Sequence, residues 1–110
     1  MITTHVLDTS LGKPAAAMVV VLEVHRGADW VRLFAGRTDA KGRLALLEEG
    51  APSGPGLYRI TFDTGDYHRS LDIRPFFPEV QVVFSTRETN EHLHIPLLLS
   101  PFGYSTYRGT

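Results

Sequence analysis

The stretch HLHIPLLLS, residues His92–Ser100, decides how the chain folds. Leu93, Ile95, Leu97 and Leu99 fall on one parity and are all apolar, whereas His92, His94, Pro96 and Leu98 fall on the other. Side chains of a β-strand alternate between its two faces, so four aliphatics at period two mark a core-facing row. Both imidazoles then stand on the outer face. The same test works toward the N-terminus. In ITTHVLD (Ile2–Asp8), burying Val6 with Ile2 and Thr4 turns Thr3, His5 and Leu7 outward. If the two strands are neighbours, His5 and His94 line one outer surface.

Further runs of strand type are AMVVVLEVH (Ala17–His25), WVRLFAGRT (Trp30–Thr38), GRLALL (Gly42–Leu47), LYRITFD (Leu57–Asp63) and EVQVVFS (Glu79–Ser85). In LYRITFD the apolar Tyr58, Ile60 and Phe62 share a face, and Arg59 and Thr61 take the other. LGKPA (Leu11–Ala15), TDAKGR (Thr38–Arg43) and EGAPSGPG (Glu49–Gly56) read as turns or connections. Short strands with turn signals at this spacing predict an all-β sandwich. One helix is expected in TGDYHRSLDI, over about Gly65 to Leu71. Thr64 or Asp66 would cap it, and the two prolines of RPFFPEV would stop it.

The 110 residues predict one domain, 1–110, large enough for a single core. With 11 Lys and Arg against 12 Asp and Glu, the net charge is −1, so nothing points to nucleic acid or an anionic membrane as partner. There is no Cys, which removes disulfides, thiolate metal sites and a Cys nucleophile. MITTHVLDTS has neither a basic nor an apolar leader segment, and the apolar run Ala15–Leu22 is too short to span a bilayer, so a cytoplasmic protein is expected.

Two clusters could carry chemistry. His5, His92 and His94 could share a face and ligate zinc as three imidazoles, although no acidic partner stands beside them in sequence. Arg43, opening a strand after the turn DAKG, is either a surface cation or a planar fork for an anionic or carbonyl-rich ligand. His25 and His68 read as ordinary solvated residues. The closing residues YSTYRGT (Tyr104–Thr110) are unlike a frayed tail, because two Tyr and an Arg follow the apolar IPLLLSPFG.

HVLDTSLGKPA, TDAKGRL, YHRSLDIRPFFPEV and HLHIPLLLSPFGYSTYRGT, in this order and separation, resemble the 5-hydroxyisourate hydrolases, the transthyretin-related enzymes of urate breakdown. The resemblance covers essentially the whole chain. Its most specific part is the closing tetrapeptide, usually Tyr-Arg-Gly-Ser in the family and here Tyr107, Arg108, Gly109 and Thr110. It implies a transthyretin-like sandwich of two four-stranded sheets with one short helix, assembled as a homotetramer with sites in a channel between dimers. It implies a cofactor-independent, metal-free hydrolase that opens 5-hydroxyisourate at its N1–C6 amide-like bond. His5, Arg43, His94 and Thr110 would be catalytic, and His5, Arg43 and Tyr107 would bind substrate. His5 and His94 remain alternatives as general base. A non-enzymatic transthyretin-like binding protein and a zinc hydrolase are the competing readings.

Overall fold

A computed structural model of the chain describes residues 1–49, 54–88 and 91–110. Two sheets face each other. In the first, β1 (Ile2–Asp8) runs parallel to β8 (Leu93–Ser100), and β8 pairs antiparallel with β9 (Gly103–Thr106). The other flank of β1 is shared: β5 (Arg43–Leu47) covers Ile2 to His5, and the two-residue β2 (Lys13–Pro14) covers Leu7 and Asp8. This shared flank makes the sheet five-stranded rather than four-stranded as expected. The second sheet has four strands in the order β4 (Asp29–Arg37), β3 (Val19–Arg26), β6 (Gly56–Phe62), β7 (Val80–Thr86). Within EGAPSGPG, residues 50–53 lie outside the described part of the chain.

The parity argument places the core. Ile2, Thr4 and Val6 of β1 are buried, as are Leu93, Ile95, Leu97 and Leu99 of β8. Val20, Leu22, Tyr58, Ile60 and Phe62 come from the facing sheet into the same cluster. Each buried aliphatic or Phe contributes about 1.5–3 kcal/mol of transfer free energy.

The helix, α1, spans Thr64–Ser70. Neither Thr64 nor Asp66 caps it. Asp63 does, its carboxylate accepting from the Asp66 N–H at 3.0 Å, and the Thr64 hydroxyl instead donates to the Phe77 carbonyl at 2.8 Å. Packing of the helix on the following segment thus outcompetes Thr64's capping propensity. His68 also departs from expectation. It is 1% exposed, and neither ring nitrogen has a hydrogen-bond partner among the described residues, a cost to the fold.

A second tie fixes α1 to the opposite sheet. Asp8, 1% exposed at the end of β1, accepts from the Ser10 N–H and hydroxyl, the Leu11 N–H and, at 2.7 Å, the Tyr67 hydroxyl of α1. Burial alone would raise the Asp8 pKa, but these hydrogen bonds together outweigh it and hold the carboxyl below its ordinary value. Burial and the adjacent carboxylate push the Tyr67 phenol up, so it stays a donor. A depressed carboxyl pKa contributes stability above the unfolded value near 3.9 and loses it as pH falls through the folded value. Tyr67→Phe removes a hydrogen bond to a buried charge, so it should cost about 1.5–3 kcal/mol at pH 7 in urea unfolding. The difference from wild type should shrink as pH falls below about 4, where the carboxyl takes up its proton.

Candidate active site

Register turns the sequence pattern into a site. Across β5, β1 and β8, Arg43 pairs with His5 and His5 with Pro96, giving one row on the outer face. The next row is Ala45, Thr3 and His94. With strands about 4.8 Å apart and two residues spanning about 6.6 Å, His5 and His94 are diagonal neighbours at roughly 8 Å between Cα atoms. The structure therefore brings both imidazoles and the guanidinium to one surface.

The turn before β5 sets Arg43. The Asp39 carboxylate accepts from the Lys41 and Arg43 N–H groups at 2.8 and 2.9 Å, and the Asp39 N–H donates to the Arg43 carbonyl at 2.9 Å. The backbone bonds from Arg43 and Lys41 hold the Asp39 pKa below its ordinary value. Gly42 is required here. Its φ is +76°, and a Cβ would come within 2.4 Å of the Val6 carbonyl, to which no side chain could adapt.

A hollow of about 350 Å³ opens on this face, lined by Thr3, Arg43, Ala45, His92, His94 and Thr110 among others. That is at the lower end of the range for small-ligand sites, roughly 300–1,000 Å³. His5 stands beside it as Arg43's cross-strand partner but does not line it. Tyr107 is placed elsewhere. It lines a second hollow with Val82, Phe84, Leu93, Ile95 and Arg108, and is 57% exposed.

His94 is the most constrained member. Its Nδ1 lies 2.8 Å from the Thr3 hydroxyl. Its carbonyl accepts from the Gly109 N–H at 2.7 Å, and a Cβ on Gly109 would meet the ring's Cδ2 at 2.7 Å. The tail thus needs glycine to pass the imidazole, and this passage delivers Thr110 to the hollow. Two further bonds hold the tail: the Thr106 hydroxyl donates to the Pro96 carbonyl at 2.7 Å, and Arg108 pairs with Glu91 at 2.9 Å. Sequence reasoning put Thr3 on the outer face but did not connect it to His94, because the contact depends on the β1–β8 register. Gly109 and Asp39 were missed as well. A glycine beside a candidate histidine's strand and an Asp opening a turn were the available signals.

Burial lowers the His94 pKa, and the positive charges of His5, Arg43 and His92 lower it further. At neutral pH the ring is therefore unprotonated and able to accept a proton. Among the described residues no three His, Asp or Glu side chains gather as a metal-binding group, so His5, His92 and His94 do not present the three-imidazole set. No helix among these residues is long and apolar enough to cross a membrane.

Fold and site together define a transthyretin-like sandwich with an imidazole and guanidinium hollow on its outer face, and the chain belongs to the HIUase/Transthyretin family, whose model matches residues 2–109. It is 46% identical over 110 residues to the 5-hydroxyisourate hydrolase of Salmonella typhimurium, spanning all of this chain and 81% of that one. The solved 5-hydroxyisourate hydrolase of Klebsiella pneumoniae superposes with a TM-score of 0.86 at 34% identity, over 99% of this chain and 98% of that one. Sea bream transthyretin, solved in complex with thyroxine, superposes with a TM-score of 0.91 at 31% identity, over 99% and 94%.

The lowered His94 pKa has a measurable consequence. Followed by NMR through its ring carbons, His94 should titrate below the ordinary value of about 6.5. A charged form disfavoured by the fold also means that protonating His94 costs stability as pH falls from 6.5 through the folded value. Titration at or above 6.5 would contradict the environment described.

Proposed function

We propose that this chain hydrolyses 5-hydroxyisourate in urate catabolism, cleaving the N1–C6 amide-like bond to give 2-oxo-4-hydroxy-4-carboxy-5-ureidoimidazoline. The observation that carries the reading is the meeting of His94, Arg43 and Thr110 at one hollow, in a chain 46% identical over its full length to a named hydrolase. The near-equal superposition on transthyretin leaves the fold neutral between enzyme and binding protein, so the side chains decide.

In this reading His94, neutral at pH 7, takes a proton from water as its oxygen attacks the C6 carbonyl. Arg43 orients the substrate's oxygens and stabilises the oxyanion of the tetrahedral intermediate, a contribution on the order of 3 kcal/mol for such a donor. The intermediate collapses with cleavage of the C6–N1 bond. The imidazolium returns the proton to N1, leaving a carboxyl on C6 and a ureido group. His5, one strand over, is the alternative base. The Thr110 hydroxyl positions the water. It keeps the donor and acceptor of the family's usual Ser while adding a stiffer β-branched side chain.

The reading carries with it a cytoplasmic homotetramer, a dimer of dimers, acting on a free small molecule with no nucleic-acid or membrane partner. Exposed apolar surface supports assembly: Phe76 is 64% and Phe102 79% exposed, with ring centroids 5.9 Å apart, and Leu7 and Leu98 pair on the face that bears the hollow. Isologous contacts through that face would cover the open hollow and exclude water.

Fresh 5-hydroxyisourate, followed by its ultraviolet absorbance, should decay far faster with the protein than without it, and equally fast after chelator treatment. Arg43→Gln should lower kcat/KM by about a hundredfold or more. No acceleration by the wild-type chain would defeat the reading, and activity lost on chelation and restored by zinc would favour a metallohydrolase. Light scattering at micromolar concentration should give four times the chain mass, and a monomer mass would overturn the assembly.

A further inference from the structure

Thr3 shares the outer face of β1 with His5, and the parallel register places it directly beside His94. Its hydroxyl is 2.8 Å from His94 Nδ1, while Nε2 has no hydrogen-bond partner among the described residues. Building on the hydrolase reading, we infer that Thr3 is a positioning residue: its oxygen accepts the Nδ1–H of neutral His94, fixing the tautomer that keeps the Nε2 lone pair in the hollow. A hydroxyl can either donate or accept, so distance alone does not choose the direction. The surroundings choose it. Arg43 lines the same hollow, and a lone pair directed into a cavity that holds a guanidinium is favoured over an N–H directed there.

The rest of the cradle makes one hydrogen bond sufficient. The close approach of Gly109 limits displacement of the ring on one side, and the strand backbone fixes its Cα through the Gly109–His94 bridge. What remains free is rotation about the side-chain torsions and the choice of ring nitrogen that carries the proton. Both are removed by a partner on Nδ1. A base must hold the right tautomer and direction before the substrate arrives, so the residue that fixes them acts on kcat through His94.

The test uses Thr3→Val and Thr3→Ser in the full-length protein. Valine keeps the β-branched shape that suits a strand and removes only the hydroxyl, whereas serine keeps the hydroxyl and removes the methyl group. Thr3→Val should lower kcat on the order of tenfold to a hundredfold, the loss seen when an oriented imidazole loses the partner on its other nitrogen, with KM little changed. Thr3→Ser should restore most of it. Independently of activity, ¹⁵N NMR above the His94 titration should show Nδ1 protonated in wild type and Thr3→Ser, and a shift toward Nε2 protonation in Thr3→Val. Unchanged kcat in Thr3→Val, or wild-type His94 protonated at Nε2, overturns the inference. If the wild-type protein fails to hydrolyse hydroxyisourate, the hydrolase reading falls on its own, and the tautomer measurement still decides the role of Thr3.

Discussion

The parallel pairing of β1 with β8 is the constraint on which both core and site depend. From Ile2 opposite Leu93 to Asp8 opposite Leu99, seven consecutive pairs are in register without a bulge. Every odd residue of β8 from Leu93 to Leu99 faces the second sheet, and so do the even residues of β1. A slip by one residue would carry four aliphatics into water, each costing about 2–3 kcal/mol, and turn His94 into the core without a partner. The hydrophobic effect thus fixes the register, and the register places His94 beside Thr3 and diagonal to His5. The grouping of His5, Thr3 and His94 on this face is a by-product of burying the other one.

Parallel neighbours cannot be joined by a tight turn, and nearly the whole chain intervenes between β1 and β8. Ends so far apart in sequence need local anchors. Thr4 supplies one, its hydroxyl donating to the Ile95 carbonyl at 2.7 Å in the core. Asp8 supplies another at the far end, where its carboxylate joins the turn after β1 to Tyr67 on α1. On the opposite flank, Gly42 brings the Asp39 turn against β1, its carbonyl accepting from the Val6 N–H at 2.8 Å. Arg43 therefore inherits its position from the same strand that positions His5.

Strands whose alternation is strong were readable from the residues. Ile2–Asp8 is the observed span of β1, and the aliphatic parity of β8 and β6 is the observed burial. Where the signal was weak, the element was lost. β9 has only Gly-Tyr-Ser-Thr, with three of its four residues exposed, so no apolar row announces it. β2 is two residues ending in proline, read as part of a turn. The cap of α1 went to Asp63 because Thr64 is recruited by Phe77, a contact with no local signature. His68, read as solvated, is buried because a seven-residue helix packed on a sandwich has few faces left for water. The candidate residues His5, Arg43 and His94 could be named by type and parity, but their grouping could not. It needed the register across three strands, and Tyr107, beyond the end of β9, lines a different hollow from Thr110.

The tail shows why a shared fold does not settle a shared function. The chain superposes as well on a thyroxine-bound transthyretin as on a hydrolase, so two stacked sheets are compatible with either role. The side chains must then carry the distinction, and in this chain the tail brings several of them over the outer face. Here Gly109, lacking a Cβ, comes so close to the His94 ring that any other residue would displace one of them. Arg108 and Thr106 hold the strand end in that path through Glu91 and Pro96. An exposed ion pair such as Arg108–Glu91 adds little stability, typically well under about 1 kcal/mol. Its effect is therefore better sought in where the tail lies than in how stable the fold is. The tail packs against an imidazole whose charged form is disfavoured and adds a hydroxyl to the same hollow, so its course shapes the polar lining of this face.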